Sequence, residues 1–254
     1  MKVIKLEALL NNDLDKNIAL FLDVDGTLIE FSENYKEVKA DKELLYNLSQ
    51  IQFLIKDSIA LISGRTIIDL DNIFFPLQLP AAGQHGLERR KWNGIIEVLT
   101  KINLPKRFLA RLKNFKEKNY GLILKNKEKS IAIHFRKVPS LENKIEKFVS
   151  HLLEGEKNFH FIKGNKVIEI KPKFFNKGTA ISNFMNEVPF IKRLPIFIGD
   201  DTTDEDGFKY INSVQGISVK VGESTNSSAR YELKSVSEVN YWLNQLRLKL
   251  KKNI

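Results

Sequence analysis

Four short apolar runs, each broken off by a polar loop, set the rhythm of the chain. Asn17-Ile18-Ala19-Leu20-Phe21-Leu22 stops at Asp23-Val24-Asp25-Gly26-Thr27-Leu28, and residues 58–62 stop at Ser63-Gly64-Arg65-Thr66. Residues 195–199 run into Asp200-Asp201-Thr202-Thr203-Asp204-Glu205-Asp206, and residues 217–222 end in the polar loop 223–228. Runs that are apolar on both faces and rich in strand formers are read as parallel strands covered on both sides. A shorter run from Leu79 ends in Gly83-Gln84-His85-Gly86-Leu87-Glu88. Between the first two runs, apolar residues at 44, 45, 48 and 51 have helical spacing, with Asp41 as N-cap. Strand, helix, strand in this order implies a right-handed parallel crossover. Near the end, Trp242, Leu243, Leu246 and Leu250 mark an amphipathic helix over 239–250.

Residues 104–173 follow another pattern. Positions 108, 109, 112 and 115 give a basic amphipathic helix over 106–118, and 120–124 with 130–135 flank a polar turn as a hairpin. Leu141, Ile145, Phe148, Val149 and Leu152 share a second helical face, and Gly164-Asn165 joins 159–163 to 166–170 as a second hairpin. Helix, hairpin, helix, hairpin is α+β, unlike the α/β stretches on either side. The fold class expected is therefore α/β: a Rossmann-like parallel-sheet core from residues 1–103 and 174–254, with an inserted α+β cap domain over 104–173.

Composition narrows the class. At 254 residues, 43% hydrophobic and 28% charged, the chain suits a globular protein with one large core and a smaller insert. There is no cysteine, which excludes disulfides, thiolate zinc sites and cysteine nucleophiles. The apolar start at residues 1–6 is broken by Glu7 and Asn11-Asn12-Asp13, too early for a signal peptide, and no stretch approaches about 20 apolar residues. A cytoplasmic protein without a membrane partner is expected. The net charge of +10 is concentrated: residues 106–173 hold 18 basic against 7 acidic side chains, and the rest of the chain nearly balances. Such a field steers an anionic substrate. It also suits nucleic acid, or a plainly solvated lysine-rich surface.

The loops at the strand ends carry the candidate chemistry. Open α/β sheets bind ligands at the carboxyl ends of their strands, and residues two apart on an extended segment point the same way. Asp23 and Asp25 can thus line one pocket, where a hard divalent cation relieves their repulsion; a solvated Asp-Gly turn gives the same pattern. Ser63 can donate to a phosphoryl oxygen or cap the next helix. Lys177, opening a helix after Asn176, can hold a phosphate oxygen or stand in solvent. A helix dipole accounts for Asp204 and Glu205 but not for Asp200-Asp201 at a strand tip. His85, between two glycines, and Glu88 can present a polar pair to a ligand or serve only the turn. Together these are parts for metal-assisted phosphoryl transfer.

Asp-Val-Asp-Gly-Thr-Leu, Ile-Ser-Gly-Arg, the lysine of Asn-Lys-Gly and Gly-Asp-Asp-Thr-Thr-Asp resemble, in order, the four signatures of the haloacid dehalogenase superfamily. The insert between the second and third resembles the α/β cap of its sugar-phosphatase branch. More narrowly, Gly83-Gln84-His85-Gly86-Leu87-Glu88, Ala132-Ile133-His134-Phe135-Arg136, Glu169-Ile170-Lys171-Pro172 and residues 199–205 are similar to trehalose-6-phosphate phosphatases.

The resemblance implies that Asp23 is the nucleophile, Asp25 the general acid and base, and Ser63 and Lys177 the phosphoryl-holding pair. It implies Mg²⁺ as cofactor, taken by Asp23, the backbone carbonyl of Asp25 and Asp200, with Asp201 and Asp204 orienting ligands or waters. Arg65 would support the phosphate side. His85 and Glu88, with Arg136, Lys166, Glu169 and Lys171 of the cap, would recognise the disaccharide. The expected activity is hydrolysis of trehalose 6-phosphate through an aspartyl phosphate, by a monomer, with a dimer compatible. The expected partner is a small-molecule sugar phosphate and not nucleic acid. Two rivals stand beside it: a related phosphatase for sucrose phosphate or mannosyl phosphoglycerate, and a non-catalytic basic binding protein.

Overall fold

The computed structural model describes residues 4–5 (backbone only), 17–32, 38–223 and 226–252. The start of the chain read above for a signal peptide falls largely outside these residues, as do positions 224 and 225 of the last polar loop. The chain forms two compact units, Met1–Glu97 with Asn176–Ile254, and Val98–Phe175.

The first unit is built on a nine-stranded sheet. Its strands are β1 (Ile4–Lys5), β2 (Ile18–Leu22), β3 (Ile59–Ile62), β4 (Ala81–Gly83), β5 (Glu88–Arg90), β6 (Ile96–Val98), β11 (Leu194–Gly199), β12 (Ile217–Val221) and β13 (Tyr231–Leu233). Their spatial order is β1-β13-β12-β11-β2-β3-β4-β5-β6. From β1 to β4 every neighbouring pair is parallel, and β4–β5 is antiparallel. The chain leaves β2 toward β3 and β4, then returns on the opposite side through β11 and β12. The cleft where strand order reverses lies between β2 and β11, the usual ligand position of such sheets.

Both faces of the sheet are covered, which is why its central strands are apolar throughout. Leu20, Leu22, Ile196 and Ile198 pack on one side with Leu44, Leu48, Trp242 and Leu246. Ala19, Phe21 and Phe197 pack on the other with Ile181, Phe184, Phe190 and Phe208. Phe21 stacks on Phe190 at 5.5 Å between ring centres. The helix expected after Asp41 is α1 (Lys42–Leu54), and the Asp41 carboxylate accepts from Leu44 N–H at 2.8 Å. α2 (Ile67–Phe74) is capped by Thr66 and not by Ser63. The closing helix spans Val236–Lys252, longer at both ends than its apolar spacing marked.

The second unit contains a four-stranded antiparallel sheet of β7 (Ile123–Asn126), β8 (Ile131–His134), β9 (Phe159–Gly164) and β10 (Val167–Pro172), in the order β7-β8-β10-β9. The two expected hairpins are there, joined into one sheet by β8–β10 pairing. β7 begins at Ile123 and not at Tyr120, because Gly121 takes φ +95°, which breaks the extended run. Helices α3 (Lys106–Glu117) and α4 (Glu142–Leu152) contribute Phe108, Leu112, Ile145 and Val149 to the core of this unit.

The sheet face opposite this core carries charge, since Glu169 and its cross-strand neighbour Ala132 alternate with the core residues Ile168, Ile170, Ile131 and Ile133. Glu169 is 4% exposed, and its oxygens accept from Lys127 Nζ at 2.7 Å and Ser130 Oγ at 2.5 Å. Burial pushes this carboxyl up, but Lys127, Ser130 and Lys171 overcome it and hold it below the usual range. Nearby His134 is pushed down to about 4, by burial first and then by Lys127.

Candidate active site

The tips of β2, β11 and β3 bring the motif side chains together. Asp23 is the first residue past β2, and its N–H bonds to the Ile198 carbonyl of β11 at 2.9 Å. The loop that follows closes on itself: Leu28 and Ile29 N–H reach the Val24 carbonyl, and Gly26 N–H reaches the Ile29 carbonyl. Gly26 has φ +83°, and a Cβ there would lie 2.3 Å from Asp200 Oδ2. The glycine thus lets two acidic loops meet.

Lys177 opens α5 (Lys177–Met185), whose start is fixed by a reciprocal cap. Asn176 Oδ1 accepts from Thr179 N–H at 2.8 Å, and Thr179 Oγ1 accepts from Asn176 N–H at 3.1 Å. Gly178 allows close approach to the next helix, since its Cβ would lie 2.4 Å from the Asp206 carbonyl oxygen. So held, Lys177 Nζ donates to Asp23 Oδ1 at 2.7 Å and to Asp204 Oδ1 at 2.6 Å. The other Asp204 oxygen accepts from the N–H groups of Asp200 and Asp201, at 3.1 and 2.9 Å. Gly199 makes room, because a Cβ there would lie 2.4 Å from Asp204 Cγ. Asp201 caps the short turn that leads to α6 (Glu205–Ser213).

Two side chains at this site were given no role in the sequence reading. Thr27 Oγ1 lies 3.4 Å from Asp23 Oδ2 and 3.3 Å from Asp200 Oδ1, bridging the two acidic loops. Lys220 donates its ammonium to the Asp200 carbonyl. Its visible signal is a charge near the end of an otherwise apolar strand. β12 is in register with β11 at Gly199↔Lys220, which brings it to the site.

The remaining core positions are arranged around β3 and β4. Ser63 is buried, and its Oγ accepts from Arg65 N–H at 3.1 Å. The Arg65 side chain grips Asp25, with Nε 2.6 Å from Oδ2 and Nη2 2.5 Å from Oδ1. Glu88 Oε1 accepts from Ile67 N–H at 2.7 Å and so caps α2. His85 sits at φ +55° with its ring over Gly64, where a Cβ would lie 2.6 Å from Nε2. Arg136 and Lys166 are exposed in the second unit, Lys166 at φ +58° and 3.6 Å from Glu142. Glu169 and Lys171, on β10, are buried.

Asp23, Asp200 and Asp204 each offer a carboxylate oxygen, all within 4.8 Å of one another. Burial, more than any neighbour, raises them. Asp23 is pushed up to about 7 despite Lys177, Asp204 to about 7 despite Lys177, and Asp200 to about 6 with Asp204 adding repulsion. Lys177 loses some basicity to burial, but its two carboxylates more than restore it and hold it above the usual lysine value. Three carboxylates facing one ammonium leave a deficit that suits a divalent, oxygen-seeking cation.

The sign of this electrostatics gives a prediction. Each raised carboxyl keeps its proton in the folded protein to higher pH than in the unfolded chain. Stability is therefore lost as pH rises from about 4 to about 7, and the loss is complete above that window. A divalent cation held by these carboxylates would offset it. In EDTA-treated protein at pH 8, saturating Mg²⁺ is expected to raise the melting temperature by about 5 °C if the three carboxylates hold it, and at pH 5 by far less. Equal shifts at both pH values would contradict the assignment.

A family model described as trehalose-phosphatase matches residues 21–237. The chain is 34% identical to a trehalose-6-phosphate phosphatase of Escherichia coli, over 92% of this chain and 88% of that one. It is 33% identical to a probable trehalose-phosphate phosphatase of Sinorhizobium fredii, over 86% and 83%. In fold it matches the C-terminal domain of a trehalose-6-phosphate phosphatase from C. albicans, with a TM-score of 0.84 at 22% identity, over 98% of this chain and 97% of that chain. With this match over most of its length, the chain belongs to the trehalose-phosphatase family.

Proposed function

We propose that the protein is a Mg²⁺-dependent phosphatase that hydrolyses trehalose 6-phosphate in trehalose biosynthesis. The observation that carries this reading is the Lys177 ammonium shared between Asp23 and Asp204 at the tips of β2 and β11, in a chain of this family. Asp23 attacks phosphorus, the sugar oxygen leaves, and water then releases phosphate from the aspartyl phosphate; two easier displacements replace one hard one. Asp25 protonates the leaving oxygen in the first step and takes a proton from water in the second. Ser63 and Lys177 hold the phosphoryl oxygens. Lys177 has compact ammonium donors that can pass from carboxylates to phosphate without leaving its pocket.

Asp23, Asp200 and the Asp25 carbonyl are the groups that would hold Mg²⁺, whose charge, when bound, offsets that of the phosphoryl oxygens. Asp204, with both oxygens engaged, supports the site through Lys177 and the loop N–H groups. Asp201 orients from the same turn.

Sugar selection belongs, in this reading, to the second unit, which takes the part of the cap. Arg136, Lys166, Glu169 and Lys171 are its candidate hydroxyl contacts, and His85 and Glu88 are the candidates of the first unit. A buried polar group left unpaired by the wrong sugar is penalised. The reaction is placed in the cytoplasm, and the enzyme is taken as a monomer acting on a free sugar phosphate.

A panel of sugar phosphates assayed with Mg²⁺ tests the substrate. Trehalose 6-phosphate is expected to exceed glucose 6-phosphate, sucrose 6-phosphate and mannosyl phosphoglycerate in kcat/KM by about 100-fold or more. Faster turnover of any of the three would overturn the assignment.

A further inference from the structure

Arg65 lies beside the phosphate-handling serine, yet its side chain is committed elsewhere. Nε and Nη2 form a two-point fork on the Asp25 carboxylate, at 2.6 and 2.5 Å. The arginine is itself fixed from several directions. It is 4% exposed, its N–H is bound by Ser63 Oγ, and its carbonyl accepts from Gln84 N–H at 2.8 Å. Two residues on, α2 starts at Ile67, whose N–H is held by Glu88. Gly83 keeps that strut in place, because a Cβ there would lie 2.6 Å from Glu88 Oε1 and 3.0 Å from the Arg65 carbonyl oxygen.

We propose that Arg65 is a positioning residue for Asp25: its guanidinium aims the carboxyl group at the leaving oxygen and the attacking water, and does not serve to bind phosphate. The proposal rests on the reading of Asp25 as general acid and base. The Asp25 side chain is 27% exposed and lies just past the tip of β2, and among the contacts described the Arg65 fork is what fixes its direction. Proton transfer needs the group within about 2.6–3.2 Å of the oxygen it serves. A rigid planar fork meets that need better than a point charge does. A carboxylate has about four lone-pair sites, so two remain for substrate or water while the fork holds the other two. In this arrangement Glu88 and Ser63 act on catalysis through Arg65, which gives Glu88 a use apart from sugar contact.

A double-mutant cycle separates this role from phosphate binding. Wild type, Arg65→Ala, Asp25→Asn and the double variant are assayed on trehalose 6-phosphate and on p-nitrophenyl phosphate, whose leaving group needs little protonation. Arg65→Ala is expected to lower kcat on trehalose 6-phosphate by about 100-fold with KM changed less than about threefold. In the Asp25→Asn background it should cost less than about threefold more. With p-nitrophenyl phosphate, Arg65→Ala should still release one nitrophenolate per enzyme in a fast burst before a slow steady rate. Additive losses, a KM increase with kcat preserved, or loss of the burst in folded protein would each overturn the proposal. Arg65→Lys runs in the same cycle and covers a failure of the alanine variant to fold. It keeps the charge and drops the fork, so it should be slow on trehalose 6-phosphate, and wild-type kcat would refute the positioning role. If Asp25→Asn alone keeps full turnover, the acid–base reading of Asp25 fails instead.

Discussion

Asp23→Asn should abolish turnover while leaving the fold intact. The amide has nearly the shape of the carboxylate but is no nucleophile, so phosphate release should fall by at least about 10⁴-fold. The same change removes one of three crowded carboxylates held at raised pKa, and Lys177 keeps its 2.6 Å partner in Asp204. The metal-free variant should therefore melt no lower than wild type at pH 8. Activity is read by phosphate release and stability by thermal melting in EDTA. Dead and stable is the expected pair of results. More than about 1% residual activity would remove Asp23 from the attacking role.

Lys177→Met should fail in the opposite way, losing stability and activity together. Lys177 is 2% exposed and is the ammonium between Asp23 and Asp204. Its removal leaves two buried carboxylates without their shared counter-charge, a change that costs about 3–5 kcal/mol. Lys177 lowers the pKa of both acids, so without it they hold their protons to still higher pH. The penalty should consequently be largest at pH 8 and much smaller at pH 5 in urea unfolding. Turnover should drop by at least about 1000-fold, since the phosphoryl oxygens would lose the cation proposed to hold them. A variant that is equally destabilised at both pH values would contradict the ion-pair account.

What the sequence disclosed about this site depended on how local the signal was. Asp23, Asp25, Ser63 and Asp200 were visible because each breaks an apolar run abruptly, and the sheet topology then carries those breaks to one edge. Lys177 was visible as the first residue after a capping asparagine. Partnerships set by register were not. Lys220 reaches Asp200 only because β12 pairs with β11, and Arg65 finds Asp25 40 residues earlier. The resemblance gives Arg65 to the phosphate side of the site, and no local pattern announces the two-point contact with Asp25 that the structure shows.

The extension of the sheet was hidden for a related reason. β5 reads Glu88-Arg89-Arg90, charges that argue against a strand. Arg89 and Arg90 are nonetheless buried, the first against Glu97 and Glu187 and the second against Asp71 and the Leu79 carbonyl. In the second unit the hairpins followed from their turns. The β8–β10 pairing that fuses them, and the Lys127–Glu169 pair spanning 42 residues, come from tertiary packing that no local pattern encodes.

The proposed reaction passes through a covalent bond between phosphorus and Asp23, and trapping that bond is the most direct test. Asp25→Asn should accumulate the phosphoenzyme from p-nitrophenyl phosphate, because the first step needs little acid from the protein and the second lacks its base. Acid quench after one turnover with ³²P-labelled substrate and peptide mapping at low pH should place the label at position 23; in a parallel quenched sample, borohydride reduction, which expels the phosphate, should leave homoserine there. Label on any other residue, or nitrophenolate release matched at all times by free phosphate with no labelled protein, would contradict it.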